Sequence, residues 1–216
     1  TPEVFDTFME YTTKAYQSME IPLELSFIPI HPGDILSYGG YHFEVKLLKG
    51  HTFGQCGLYE PEKKLMFVGD QLMTTIVPIV GTQETDLGML KCYLDSLGDL
   101  KHNYKDCYFL PCHYGEIRNV EKEVNRIILG YLEKCEIMKH VLEEAGTALT
   151  TRDIGVRTYG RSQGPPDYAH FASCTYIWAK TFSCMEYMMG EGFVERSERD
   201  GIIYWKAPSI HFENNR

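Results

Sequence analysis

Long apolar runs, paired cysteines and positive charge are all scarce in these 216 residues. No apolar stretch approaches the roughly 20 residues a membrane-spanning helix needs, and no basic segment followed by an apolar one opens the chain. The seven cysteines (Cys56, Cys92, Cys107, Cys112, Cys135, Cys174 and Cys184) are odd in number and never form a C-x-x-C pair. That argues against both a disulfide framework and a thiolate zinc knuckle. Lys and Arg number 21 against 30 Asp and Glu, a net charge of -9, which disfavours broad electrostatic binding to nucleic acid or anionic lipid. Together these absences predict a cytoplasmic protein with no membrane partner.

The rest of the composition is that of a globular chain, with 44% hydrophobic and 24% charged residues and length for one large or two small domains. Val4, Phe8, Tyr11 and Ala15 mark an apolar helical face over residues 3 to 19. Turn residues then punctuate short runs. Pro32-Gly33-Asp34 and Gly39-Gly40 bracket strands at 35 to 38 and 41 to 48, and Glu60-Pro61-Glu62-Lys63 joins 55 to 59 with 65 to 68. This predicts an antiparallel sheet. Leu87, Leu90, Leu94 and Leu97 predict a helix over 84 to 98, and Tyr108 to Leu110 reads as a short buried strand.

After Gly115 the texture becomes helical. A long amphipathic helix is expected over 117 to 145 with Gly146 at its end. Thr150 with Asp153 predicts the start of a short helix running to Tyr159. A Gly/Pro loop at 161 to 166, a helix over 167 to 189 and a hairpin turning at Glu198-Arg199-Asp200-Gly201 follow. Helix, helix, helix, hairpin is the winged-helix order, and a boundary is placed near residue 130 inside a continuous helix.

Three short stretches carry the chemistry: Lys49-Gly50-His51-Thr52-Phe53-Gly54, Phe67-Val68-Gly69-Asp70, and Leu110-Pro111-Cys112-His113-Tyr114-Gly115. Each ends an apolar run with a side chain that can bind a metal, and strand ends hold such ligands rigidly. Singly, His51 or Asp70 also reads as a cap and His113 as a hydrogen-bonded loop residue. Together, at three strand-to-loop junctions beside glycines, they point to one site.

These stretches resemble the later metal motifs of the metallo-β-lactamase fold hydrolases, in which G-H-T-x-G supplies a histidine, G-D a bridging aspartate and an L-P-G-H-G-like turn the last histidine. Carried over, His51 would bind one metal, Asp70 would bridge, and His113 would bind the second. Zinc is the expected ion, one or two per site, with iron or manganese as alternatives. The third motif departs from the pattern, with Cys112 in place of a glycine and Tyr114 displacing Gly115 by one position. The resemblance implies an α+β chain: residues 1–129 as the second half of an αββα sandwich, and 130–216 as an appended winged-helix domain.

The family's first motif, H-x-H-x-D-H, occurs nowhere in the chain. That leaves two ligands per metal. The chain is therefore expected to be the C-terminal part of a longer hydrolase, metal-poor and catalytically incompetent alone, and its opening Thr1-Pro2 agrees with a partial or processed product. Half a sandwich would expose an apolar sheet face, so a homo-oligomer is expected.

Three functions follow. The first is hydrolysis of an ester, thioester or related bond in a small-molecule substrate by metal-activated water. The second is cleavage of single-stranded RNA on the same scaffold, with Arg152, Arg157, Arg161, Tyr159 and Tyr168 as a patch that acids at Glu143, Glu144, Asp153 and Asp167 offset. The third is DNA reading by the helix over 167 to 189. Its aromatic face, with Lys180 as the only strong base, suits packing or roofing a cleft better than base readout.

Overall fold

The computed structural model describes residues 10, 13, 14, 27–80, 88–160 and 168–208, without the side chains of 168–175. The helix expected over 3 to 19 lies outside these, except that positions 10, 13 and 14 are helical. The loop at 161 to 166 lies outside them entirely.

Four strands, β1 (Ile35–Tyr38), β2 (Tyr41–Leu47), β3 (Cys56–Glu60) and β4 (Leu65–Gly69), pair antiparallel in sequence order. The turns between them are those the sequence marks. The fifth strand, β5 (Tyr108–Pro111), joins β4 in parallel, so the sheet is mixed rather than wholly antiparallel. The connection runs through helix α1 (Met89–Asn103), as a parallel crossover requires. This helix begins five residues later than its leucine spacing suggests, after Gly88 in the left-handed conformation, and continues to Asn103 because Leu100 extends the buried stripe.

Pairing register assigns the two faces of the sheet. Val45, Leu58, Phe67 and Leu110 stand opposite one another and share one face; Met66 and Phe109 share the other. The second face packs on α1 through Met66, Val68, Phe109, Leu90, Tyr93, Leu97 and Leu100, all fully buried. On the first face Val45 is buried, yet Leu47 and Phe67 are each 40% exposed, and Phe43 meets Phe67 edge-on at 5.8 Å.

Helix α2 (Val120–Ala145) runs unbroken through residue 130. It starts at Asn119, whose side chain accepts from the Lys122 amide, rather than at 117, because Ile117 bridges back to Phe109. Strand β6 (Leu149–Thr150) leads into α3 (Thr151–Tyr159), capped reciprocally by Thr150 and Asp153. Helix α4 (Tyr168–Gly190) is followed by β7 (Glu195–Arg199) and β8 (Ile202–Lys206), and the sheet order is β6-β8-β7. The hairpin turns on Asp200 and Gly201, both at positive φ, as a two-residue loop of the primed type demands. Met185 and Met188 are core residues. One buried cluster extends from Leu48 through α1, α2 and α4 to Trp205, and the six cysteines with described side chains are free thiols.

Candidate metal centre

Strand direction explains why three distant residues meet. Two antiparallel steps leave β2 and β4 running the same way, and β5 is parallel to β4. Their C-terminal ends therefore open on one edge of the sheet. His51 follows β2, Asp70 follows β4 and His113 follows β5. A register shift between Phe67 and Gly69 and the positive φ of Gly69 turn the chain at this edge, as bulges next to sites do. The Cys112 amide then donates to the Gly69 carbonyl at 3.1 Å.

Each histidine faces its own oxygen of Asp70. His51 Nε2 lies 3.6 Å from Oδ2 and His113 Nε2 lies 3.5 Å from Oδ1. The His51 ring is oriented from behind, since Nδ1 is 2.8 Å from the Ile79 carbonyl. A carbonyl only accepts, so Nδ1 carries the proton, and in the neutral ring Nε2 turns a lone pair toward the carboxylate. Asp70 Oδ1 is buried and has no hydrogen-bond partner. Two acceptors face to face and an orphaned carboxylate oxygen form an arrangement that a cation relieves. Among the described residues, however, no group of three His, Cys, Asp or Glu side chains forms a metal-binding cluster. The site is two imidazole–carboxylate pairs sharing Asp70.

Gln71 braces this edge. Its amide nitrogen donates to the Lys49 carbonyl (3.1 Å) and Ser96 Oγ (3.0 Å), its amide oxygen accepts from the His51 amide (3.4 Å), and its own carbonyl accepts from the Tyr93 hydroxyl (2.8 Å). Burial pushes the Tyr93 hydroxyl well above the usual phenol range, so it remains a donor.

The pairs open into a cavity of about 1020 Å³ whose other walls come from the loop after Asp70 (Met73, Ile76 to Ile79) and from α3 and α4 (Tyr159, Tyr176, Ile177, Lys180). Helices clamp that loop. Arg126 donates to the Met73 carbonyl at 2.6 Å, Tyr131 to the Pro78 carbonyl at 2.6 Å and Lys180 to the Val77 carbonyl at 3.1 Å. Because Ile79 in turn holds His51, the helices steady the histidine through the loop. Burial lowers the Lys180 pKa and raises that of Tyr159 strongly.

All three sequence-predicted residues are thus at one edge, joined through Asp70. His31 and His42 are exposed, the latter 2.8 Å from Ser37 Oγ. The wall from α3 and α4 is what residue spacing does not name. Its one sequence signal is Lys180, the only Lys or Arg of α4.

A sheet whose parallel strand ends carry His, Asp and His, with helices on its inner face, invites comparison with solved structures. The chain superposes over 96% of its length on a beta-lactamase domain protein from Burkholderia ambifaria, with TM-score 0.79 and 18% identity. This is the metallo-β-lactamase fold. A metallo-beta-lactamase family protein from Thermus thermophilus matches over the same share, with TM-score 0.70 and 20% identity. The chain spans 58% and 66% of those two proteins. In sequence, a 40-residue segment is 50% identical to the hydroxyacylglutathione hydrolase GloC of Haemophilus influenzae, 18% of this chain and 19% of that protein. No protein-family model matches the chain. No helix among the described residues is long and apolar enough to cross a membrane.

Proposed function

We propose that this chain carries half of a two-metal hydrolase centre, with His51 and Asp70 holding one ion and Asp70 and His113 the other. The observation that carries this reading is Asp70 itself: a buried carboxylate oxygen without a hydrogen-bond partner and an imidazole nitrogen facing each of the two oxygens. The N and O donor set suits zinc, with iron and manganese also within its range. When bound, such ions supply Lewis acidity and an activated water for attack on an ester, thioester or related bond. The residues of this chain do the holding: Ile79 fixes the His51 tautomer and Gln71 fixes the His51 backbone. The GloC segment supports a hydrolase of the metallo-β-lactamase superfamily.

Two donors per ion fall short of the three protein ligands of a catalytic zinc site. The remaining donors therefore come from outside the described side chains, and the described residues by themselves do not complete a catalytic site. Titration of the chain with zinc under calorimetry, beside an assay with p-nitrophenyl acetate, tests this. Weak uptake, with a Kd no tighter than the micromolar range, and no metal-stimulated hydrolysis are expected. Tight stoichiometric uptake with turnover would show a complete site instead.

The order helix, strand, helix, helix, hairpin supports reading residues 130–216 as a winged-helix-like unit that roofs the hydrolase cleft. Lys180, the strong base of α4, lines the cavity and donates to the Val77 carbonyl rather than standing on an exposed helix face, which counts against DNA readout. The half-exposed Leu47 and Phe67 support association with a second copy of the chain through the first sheet face. Light scattering of the Leu47→Lys, Phe67→Lys double variant is expected to show a shift toward monomer; a parent already monomeric at high concentration would refute the association.

A further inference from the structure

We propose that Tyr131 is a positioning residue for His51: its hydroxyl holds the peptide group whose carbonyl takes the His51 Nδ1 proton, and so keeps Nε2 free to bind a cation. What this means for metal uptake rests on the hydrolase reading; what it means for the imidazole does not. Tyr131 stands in α2 and is buried. Its hydroxyl donates to the Pro78 carbonyl at 2.6 Å and accepts from the Val80 amide at 3.2 Å. Those two groups flank Ile79, whose carbonyl lies 2.8 Å from His51 Nδ1. The Ile79 carbonyl and the Val80 N–H belong to one planar peptide group and point to opposite sides of it. Tyr131 therefore holds one side of the peptide plane that His51 meets on the other.

The helix clamps on this loop are not equivalent. Arg126 and Lys180 donate to the carbonyls of Met73, Ile76 and Val77, all ahead of Pro78. Among the described residues, Tyr131 alone both gives and takes a hydrogen bond around Ile79. Val80 is fully buried, so its amide has no water to turn to, and a buried N–H left unpaired is costly. Burial also pushes the Tyr131 hydroxyl well above the usual phenol range, so it stays protonated and remains the donor to Pro78. His51 Nδ1–H to the Ile79 carbonyl, Val80 N–H to Tyr131 Oη and Tyr131 O–H to the Pro78 carbonyl run head to tail, and bonds in such a chain polarise one another. A more polarised Ile79 carbonyl is a better acceptor, which favours the Nδ1–H tautomer. A histidine held this way presents Nε2 as the ligand atom.

The test is nitrogen NMR of the imidazoles in the 216-residue chain, kept metal-free by chelator. A pH about two units above the ordinary imidazole value keeps the ring neutral, and His51→Ala identifies the signals of that ring. The parent is expected to show His51 in one form, protonated at Nδ1. Tyr131→Phe keeps the ring and its edge-on contact with Tyr93, and should convert His51 to a mixture containing the Nε2–H form. Arg126→Leu, which loosens the loop elsewhere, should leave the single form. In a His113→Ala background, where only the His51 half of the centre remains, Tyr131→Phe should weaken calorimetric zinc uptake roughly 10-fold. A parent ring that is mixed, or protonated at Nε2, would overturn the assignment whether or not the variant folds. So would an unchanged His51 in Tyr131→Phe, or an equal mixture in Arg126→Leu. A tautomer that follows Tyr131 beside zinc uptake that does not would uphold the positioning of His51 and sink the two-metal reading.

Discussion

Asp70→Ala is expected to remove zinc uptake at both half-sites, weakening it by about 100-fold or more, while leaving the metal-free chain folded. Changing even the residues that orient a ligand typically costs roughly 10- to 100-fold in affinity, and Asp70 is the ligand common to both pairs. His51→Ala and His113→Ala, by contrast, should each remove only one half-site, so stoichiometry separates the three variants. The stability readout has the opposite sign from that of an ordinary ion pair. Asp70 Oδ1 is buried without a partner, and deleting an unsatisfied buried acceptor relieves a desolvation penalty. Thermal melts in chelator should therefore show Asp70→Ala at or above the parent. A loss of about 2 kcal/mol or more would mean the carboxylate is a structural partner of the histidines, and the metal reading would fall with it.

Gly50→Ala is expected to cost about 3 to 5 kcal/mol, a large part of the roughly 5 to 15 kcal/mol that holds a typical domain together. Gly50 has φ +145°, a conformation that side chains rarely adopt, and an added Cβ would overlap the Cβ, Cδ2 and backbone Cα of Tyr93. Strain of this backbone kind costs about 1 to 3 kcal/mol, and overpacking against a helix backbone that cannot yield adds a comparable amount. Tyr93 is wholly buried and donates to the Gln71 carbonyl, so the variant disturbs the brace of His51 together with the core. Gly146→Ala is the control. It too sits at positive φ, at the end of α2, but with open space around it, and should cost about 1 kcal/mol. Urea unfolding of both variants measures the difference, and near-equal midpoints would show that the Tyr93 contact yields.

Much of the site was legible because local chemistry marks it. Glycine before His51 and before Asp70 reflects real geometric need: Gly50 lies against Tyr93 and Gly69 at positive φ against Gln55. The Thr150–Asp153 capping box and the Asp200–Gly201 turn were likewise readable from a few adjacent residues. Boundaries that depended on distant partners were not. Ile117 fits a helical pattern, but its bridge to Phe109 holds it in extended backbone, and α1 reaches Asn103 because Leu100 finds a buried place under the sheet.

The sequence by itself determined which side chains end each strand, where the turns fall and which residues can ligate a metal, because φ preference, caps and apolar period act over a few residues. Only the tertiary structure decided that β5 adds in parallel to β4, bringing His113 to the edge where His51 and Asp70 stand, since strand pairing joins backbone groups far apart in the chain. It also decided that Lys180, distant from Asp70 in the chain, lines the same cavity without a described carboxylate beside it. No local pattern encodes that meeting, because it follows from how α4 packs on the loop that holds His51.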